Sequence, residues 1–272
     1  MAEEARKHSE VGSSDCSVVK VSYPREGVAL LTIASTPLGV LRLSVKRAMH
    51  TTLSSLEADS KVRSVILTGT GKAFSVGSDI REFTLEPGWL LVSEFEENAL
   101  NALIETCRFP VIAACNGHTL GGGAVLALAC DIRIAARSAT IGFPEVKVGA
   151  FASGSGTQRL ARLVGRGRAL RLLLSGQIVE ADEALRLGLV EEVVPDDRLI
   201  DRALELASEI AGLPAPAVAA TKRCVNVGLR EGWNAGLALE SRLAVEVGLS
   251  DEALEGQRAF IEKRTPRFNT GE

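Results

Sequence analysis

The chain has 272 residues, 46% of them hydrophobic and 24% charged, with a formal net charge of −3. That length admits one large domain, or a domain with an appendage, able to bury about 75% of its unfolded surface without disulfide or metal staples. The slight acidity excludes a global basic field that would draw nucleic acid, and no stretch reaches the roughly 18 apolar residues a membrane helix needs. Residues 1–16 are polar and mixed in charge, with neither the apolar core of a signal peptide nor the arginine-rich balance of a transit peptide. They are expected to be disordered, and the chain cytoplasmic. Val18 to Ser22 and Val28 to Ile33 are β-branched runs around Pro24-Arg25-Glu26-Gly27, a hairpin pattern. Leu43 to Leu56 has helical periodicity, and Val62 to Leu67 is an apolar strand running into a glycine- and serine-rich loop that ends at Ser78-Asp79. Glu86 to Val92, containing Trp89, is expected to be a pocket-lining loop. Glu94 to Cys107 has helical periodicity and stops before Pro110.

Val111 to Cys115 is a second buried strand, and it delivers the chain to Gly121-Gly122-Gly123. Behind the triplet stands Ala124 to Cys130, apolar on every side and therefore buried all round if helical. The first amides of a helix lack internal partners and carry partial positive charge, so such a junction can hold a carboxylate, a phosphate or a developing oxyanion. Asp131 to Ala136 and Thr140 to Gly142 are further strands, and Phe143-Pro144-Glu145 turns outward. Strand, glycine loop and helix thus occur twice, which predicts an α/β body with parallel neighbours and a ligand at the strand ends. After Arg166 the chain is mostly helical, with one strand at Leu189 to Val194. The reading is an α/β core over residues 17–200 and a helical region over 201–272.

Several chemistries are excluded. The five cysteines show no C-x-x-C spacing, and they read as free thiols of a reducing compartment. The three histidines form no metal-binding pair, so no metal site is expected. Gly71-Lys72 lacks the rest of a phosphate-binding loop, and no G-x-G-x-x-G opens a helix after a strand. Ser75, in Ala73-Phe74-Ser75-Val76-Gly77, is one substitution from a hydrolase nucleophile elbow. No histidine follows His118 to serve as its base, so a Ser75 triad is set aside.

Val65-Ile66-Leu67-Thr68-Gly69 through Phe74-Ser75-Val76-Gly77-Ser78-Asp79-Ile80 resembles the first signature of the crotonase (enoyl-CoA hydratase/isomerase) superfamily. Pro110 to Gly117, the glycine triplet and Cys130-Asp131-Ile132-Arg133 resemble the second. Phe143-Pro144-Glu145 and Gly156-Thr157-Gln158-Arg159-Leu160 resemble the third, and the likeness spans residues 18 to 268 in order. The resemblance implies the crotonase ββα spiral with a C-terminal helical trimerisation region, and a homotrimer or dimer of trimers. It implies an acyl-CoA substrate of fatty acid metabolism, with no cofactor besides the coenzyme A that the substrate carries. It also implies an oxyanion hole made by the backbone amides of Ser78 and Gly122. Val76, Gly77, Asp79, Ile80, Leu120, Gly121, Pro144 and Phe268 match positions that line the substrate site.

Hydratases of this family commonly use two glutamates. The second is present as Glu145, whereas the first falls on Val125, which moves no proton. One carboxylate in an apolar pocket can remove a proton at C2 and return it at C4, so the residue pattern leans towards a double-bond isomerase with Glu145 as sole acid/base. A hydratase (a lyase), a related hydrolase, and a non-catalytic acyl-CoA binder remain open at this point. Further departures are Ala152-Ser153-Gly154-Ser155-Gly156 in place of the usual Pro-Gly-Ala-Gly-Gly, Gly39 in place of a frequent asparagine, and no lysine after Phe268.

Overall fold

The computed structural model describes residues 18–84 and 86–268. The disorder expected over residues 1–16 lies outside the described residues. β1 (Val19–Arg25) and β2 (Val28–Ile33) form the expected antiparallel hairpin. β3 (Val40–Leu41) leads into α1 (Leu43–Ala58), which buries Val45, Met49, Leu53 and Leu56. Lys46 is buried on the same stripe, a charge where the periodicity calls for hydrocarbon. β4 (Ser64–Gly69) is buried on both faces, as a central parallel strand must be.

The loop after β4 contains β5 (Ala73–Ser75), β6 (Gly77–Ser78) and a 3₁₀ turn at Ile80–Glu82. α2 spans Pro87–Thr106, which corrects the loop expected over residues 86–92. Pro87 sits in the first helical turn, where a missing N–H costs nothing. The sequence hid this start because Leu90, Leu91, Val92 and Phe95 are exposed, so the first turns show no core-facing periodicity.

β7 (Val111–Cys115), β8 (His118–Leu120), α3 (Gly122–Ala129), β9 (Ile132–Ala136) and β10 (Thr140–Gly142) follow, then a 3₁₀ turn over Pro144–Val148. Next come α4 (Gly156–Val164), α5 (Arg166–Ser175), β11 (Ile178–Glu180), α6 (Ala181–Leu187), β12 (Glu192–Val194) and α7 (Leu199–Ala211). α8 (Ala215–Glu231), α9 (Trp233–Gly248) and α10 (Asp251–Glu262) complete the chain.

The main sheet has the order β1-β2-β4-β7-β9-β12, parallel beyond its hairpin edge. A second sheet, β11-β10-β8-β5, is parallel except at β11, and β3 pairs with β6 in a third. Successive strand, strand and helix units therefore stack, and the loops leaving β4, β7 and β10 all follow the carboxyl ends of parallel strands. α7 packs against the main sheet through Ala203 and Ala207, and the Ser64 hydroxyl donates to the Ala207 carbonyl at 3.1 Å. α7 thus packs on the sheet core, and the expected division between residues 200 and 201 lies within its first turn.

Cys107, Cys115 and Cys130 are buried free thiols, and Cys224 is a half-buried one. Burial pushes Cys107 up to about 11 and Cys115 up to about 12, so neither offers a thiolate near neutral pH. Among the described residues, no helix is long and apolar enough to cross a membrane.

Candidate active site

Three loops meet at the glycine triplet, and register explains why. β8 and β10 run parallel with Leu120 opposite Gly142, and the Gly121 amide donates to the Gly142 carbonyl at 3.0 Å. Glu145, three residues beyond Gly142, is thereby delivered to the triplet: a Cβ placed on Gly121 would stand 3.7 Å from Glu145 Oε1. From the other side, β5 pairs with β8 and carries the Gly77-Ser78 segment to the same point. Asn116, at the end of β7, secures that loop. Its Oδ1 accepts from the Gly69 amide at 3.1 Å, and its Nδ2 donates to the Gly71 and Ala73 carbonyls, both at 3.2 Å.

α3 begins at Gly122, and the Val125 amide is the first to reach back, to the Gly121 carbonyl at 3.0 Å. The amides of Gly122, Gly123 and Ala124 precede that first bond, at the positive end of the helix dipole. Gly77 packs directly on this start: a Cβ there would stand 2.8 Å from the Gly122 nitrogen, and its φ of +91° already favours glycine. The Ser78 hydroxyl lies 3.5 Å from where a Gly122 Cβ would stand. Gly77→Ala is therefore expected to shift the Gly122 amide and strain the loop. If that amide holds a developing oxyanion, turnover falls by roughly 10²–10³. Steady-state kinetics on an enoyl-CoA thioester checks this, and an unaltered rate in Gly77→Ala removes the packing argument.

The Glu145 carboxyl is half-buried, and its Oε2 is inaccessible and without a hydrogen-bond partner among the described residues. Burial raises its pKa above the ordinary carboxylate value; its own backbone amide opposes the shift, and the nearby Glu97 charge adds to it. The chain does turn outward at Phe143-Pro144-Glu145, since residues 146–151 are exposed, but the Glu145 carboxyl points back inward from the 3₁₀ turn Pro144–Val148.

Val76, Gly77, Ser78, Leu120, Gly121, Gly122 and Glu145 converge, with Pro144 beside Glu145 and Ile80, 64% exposed, at the rim. Asp79 does not offer a free carboxylate. It is held by Arg42 Nε at 3.0 Å and Arg81 Nε at 2.8 Å, and it caps the Ile80–Glu82 turn through the Arg81 amide. The Arg81 hydrogen bond, ahead of burial acting the other way and a further bond from Arg42, keeps it well below the usual carboxylate range. Phe268 packs over Gly256 of α10, with ring carbons 3.5 Å from where a Gly256 Cβ would stand. Ser75 is fully buried, and its hydroxyl donates to the Gly39 carbonyl at 2.7 Å and accepts from the Gly77 amide at 3.1 Å. It shapes the loop from inside. Val125 is buried against Gly156, and it places no polar atom at the turn.

Sequence reading missed Glu97. This α2 residue reaches the turn from a third direction, since its Oε1 lies 3.5 Å from where a Gly122 Cβ would stand. Its Oε2 pairs with Lys46 Nζ at 2.5 Å. A signal existed in Lys46, because a lysine on the apolar stripe of α1 requires a buried acidic partner.

The chain matches the family described as enoyl-CoA hydratase/isomerase over residues 24–271. It is 40% identical over 249 residues to the short-chain-enoyl-CoA hydratase of Clostridium acetobutylicum, covering 90% of this chain and 95% of that one. Among solved structures, the enoyl-CoA hydratase of Bacillus anthracis superposes with a TM-score of 0.89 at 35% identity, covering 93% of this chain and all of the other. The enoyl-CoA hydratase of Mycobacterium smegmatis gives a TM-score of 0.88 at 30% identity, covering 93% and 99%. With the stacked strand-strand-helix core and the glycine turn in the expected places, this chain belongs to the enoyl-CoA hydratase/isomerase family, within the crotonase superfamily, and has its fold.

Proposed function

We propose that the chain acts on an enoyl-CoA thioester through an enolate, held by the Ser78 and Gly122 amides and protonated or deprotonated at C2 by Glu145. One observation carries this reading: a buried carboxyl oxygen, without a hydrogen-bond partner among the described residues, beside a helix start whose first amides precede the first bond of the helix. The amides stabilise charge on the thioester oxygen, where a preorganised donor contributes about 3–4 kcal/mol. The chemistry uses no cofactor beyond the coenzyme A of the substrate.

Glu145 by itself suffices for a shift of the double bond between the 3-enoyl and 2-enoyl positions: it takes the proton from C2 and returns it at C4. Hydration is the second reading. It is favoured by the names of the relatives, which are hydratases, and by the presence of Glu97 beside the turn. A panel of 2-enoyl- and 3-enoyl-CoA thioesters followed by mass spectrometry separates them. Hydration adds the mass of water to crotonyl-CoA. Isomerisation leaves the mass unchanged and generates the conjugated thioester absorbance from a 3-enoyl substrate. Binding of the panel without any product would overturn the catalytic reading in favour of a thioester binder.

The C-terminal helices support the proposed homotrimer or dimer of trimers, because Trp233, Leu249, Phe260 and Ile261 are 77–85% exposed in the single chain. A monomer in sedimentation would count against that assembly. The buried, unpaired thiols fit the proposed cytoplasmic setting.

A further inference from the structure

Lys46 and Glu97 form a buried ion pair, with side-chain exposures of 2% and 13%. Such a pair rarely stabilises a fold better than hydrocarbon of the same volume. Its placement instead fixes a carboxylate oxygen at the glycine turn. Glu97 Oε1 accepts no hydrogen bond among the described residues, and it lies between the turn and the Ser153-Gly154-Ser155 loop. A Cβ on Gly122 would stand 3.5 Å from it, and one on Gly154, at a φ of +61°, only 2.5 Å. The same face of α2 grips that loop. Glu94 Oε1 accepts from the Gly154 amide at 3.0 Å, and Asn101 Nδ2 donates to the Gly154 carbonyl at 2.9 Å. Glu94, Glu97 and Asn101 follow helical spacing, so the loop and the carboxylate are positioned as one unit.

We propose that Glu97 is the second carboxylate of the site, supplying from α2 the proton acceptor that Val125 cannot supply from α3, and that it equips the chain for hydration. The proposal rests on the enolate reading of Ser78, Gly122 and Glu145 given above. As a water oxygen bonds to C3 of the 2-enoyl thioester, its O–H bond breaks and the proton passes to Glu97. The C2–C3 π pair moves into the enolate, whose oxygen is held by the two amides. The carbonyl re-forms as C2 takes the proton of the Glu145 carboxyl. The net change is one added water, and solvent exchange restores both carboxyl groups. The ammonium of Lys46 balances the acceptor's charge, while burial of the Glu145 carboxyl, whose Oε2 has no hydrogen-bond partner among the described residues, favours its protonated form.

The experiment compares two reactions of the full-length protein: hydration of crotonyl-CoA, and exchange of the C2 proton of butyryl-CoA in deuterium oxide. The exchange needs only Glu145 and the oxyanion hole. Glu97→Gln is expected to lower hydration by on the order of 100-fold or more while C2 exchange changes little; Glu145→Gln abolishes both. Glu97→Asp keeps a charge for Lys46 and is read in the same way if Glu97→Gln fails to fold. Its shorter reach is expected to lower hydration at least about tenfold with exchange preserved. Wild-type hydration in a Glu97 variant overturns the proposal. So does an equal loss of hydration and exchange in both variants, the mark of a merely structural residue. A wild-type protein that exchanges C2 without hydrating overturns the Glu97 role alone. One that does neither overturns the underlying enolate reading together with it.

Discussion

Glu145→Gln is expected to lower turnover by roughly 10²–10⁴ while thioester binding persists, because the amide keeps the shape of the carboxyl but cannot exchange a proton. The carboxyl has no competing structural duty: its Oε2 is buried and unpartnered, and no cation pairs with it among the described residues. Burial first, and the Glu97 charge after it, lift its pKa. In the wild type, the pH profile of kcat/KM should therefore bend above the ordinary carboxylate range. The sense of the bend reports the role. If Glu145 starts the reaction as a base, as in a double-bond shift, activity rises as pH climbs through the raised value. If it delivers a proton to C2, as in hydration, activity falls there. Either bend disappears in Glu145→Gln.

Stability gives an independent reading of the same group. A carboxyl whose pKa is higher in the folded state binds its proton more tightly folded than unfolded. Its favourable contribution is complete below the unfolded value and is lost as pH rises through the folded one. At neutral pH Glu145 is thus a burden on the fold. Glu145→Gln should melt at or above the wild-type temperature there, and lose that advantage in acid. A variant that loses activity but melts several degrees lower at neutral pH would show that Glu145 is a structural residue, and the catalytic assignment would fall with it.

Most of the scaffold was legible because its signals are local. The hairpin, the buried strands Val111–Cys115 and Ile132–Ala136, and the apolar helix behind the glycines each announce themselves in composition or period. The meeting of Gly122, Ser78 and Glu145 was legible through motif order, and the parallel register of β8 with β10 supplies its physical cause. What escaped was of two kinds. β8 and β11, at three residues each, are defined by pairing with partners that lie far away in sequence, which no local pattern registers. Glu97 escaped because it belongs to no motif and lies off the apolar stripe of Phe95, Leu100, Leu103 and Ile104, beside the polar Glu94, Glu96 and Asn98. Only the long-range contact with Lys46 on α1 turns it inward. Val125 alone points to Glu145 as the single carboxylate, whereas the fold also brings a Glu97 oxygen to the turn, from α2.

Lys222→Met should destabilise the protein by about 3–5 kcal/mol, the usual cost of stripping one partner from a buried ion pair. α8 buries none of its residues fully, so little apolar packing holds it against the core. A cavity of about 1190 Å³ opens alongside it, lined by Leu213, Val225, Leu229 and the faces of α4 and β9. Lys222, on the wall of this cavity, donates to the Ile104 carbonyl at 2.8 Å, the Phe109 carbonyl at 2.9 Å and Asp131 Oδ2 at 2.7 Å. Asp131 in turn accepts from the Val111 amide at 2.7 Å, so a single network ties α8 to the end of α2 and the start of β7, the strand that leads to the glycine turn. Asn226 adds a bond to the Glu105 carbonyl at 2.8 Å. Burial already raises the Asp131 pKa, with Lys222 the largest opposing influence. Removing the lysine takes away the strongest opposition to that desolvation and leaves only the Val111 amide and Arg133 against it, so the folded-state pKa climbs further above the unfolded one. The deficit of Lys222→Met should accordingly grow as pH rises through that window, and shrink in acid, where Asp131 is protonated in both states. Pairing the change with Asp131→Asn removes the stranded charge and should recover much of the loss. Urea unfolding at acid and neutral pH tests both statements. Equal deficits at the two pH values, or no recovery in the double variant, would mean that Lys222 acts through its hydrocarbon stem and not as the counter-charge of Asp131.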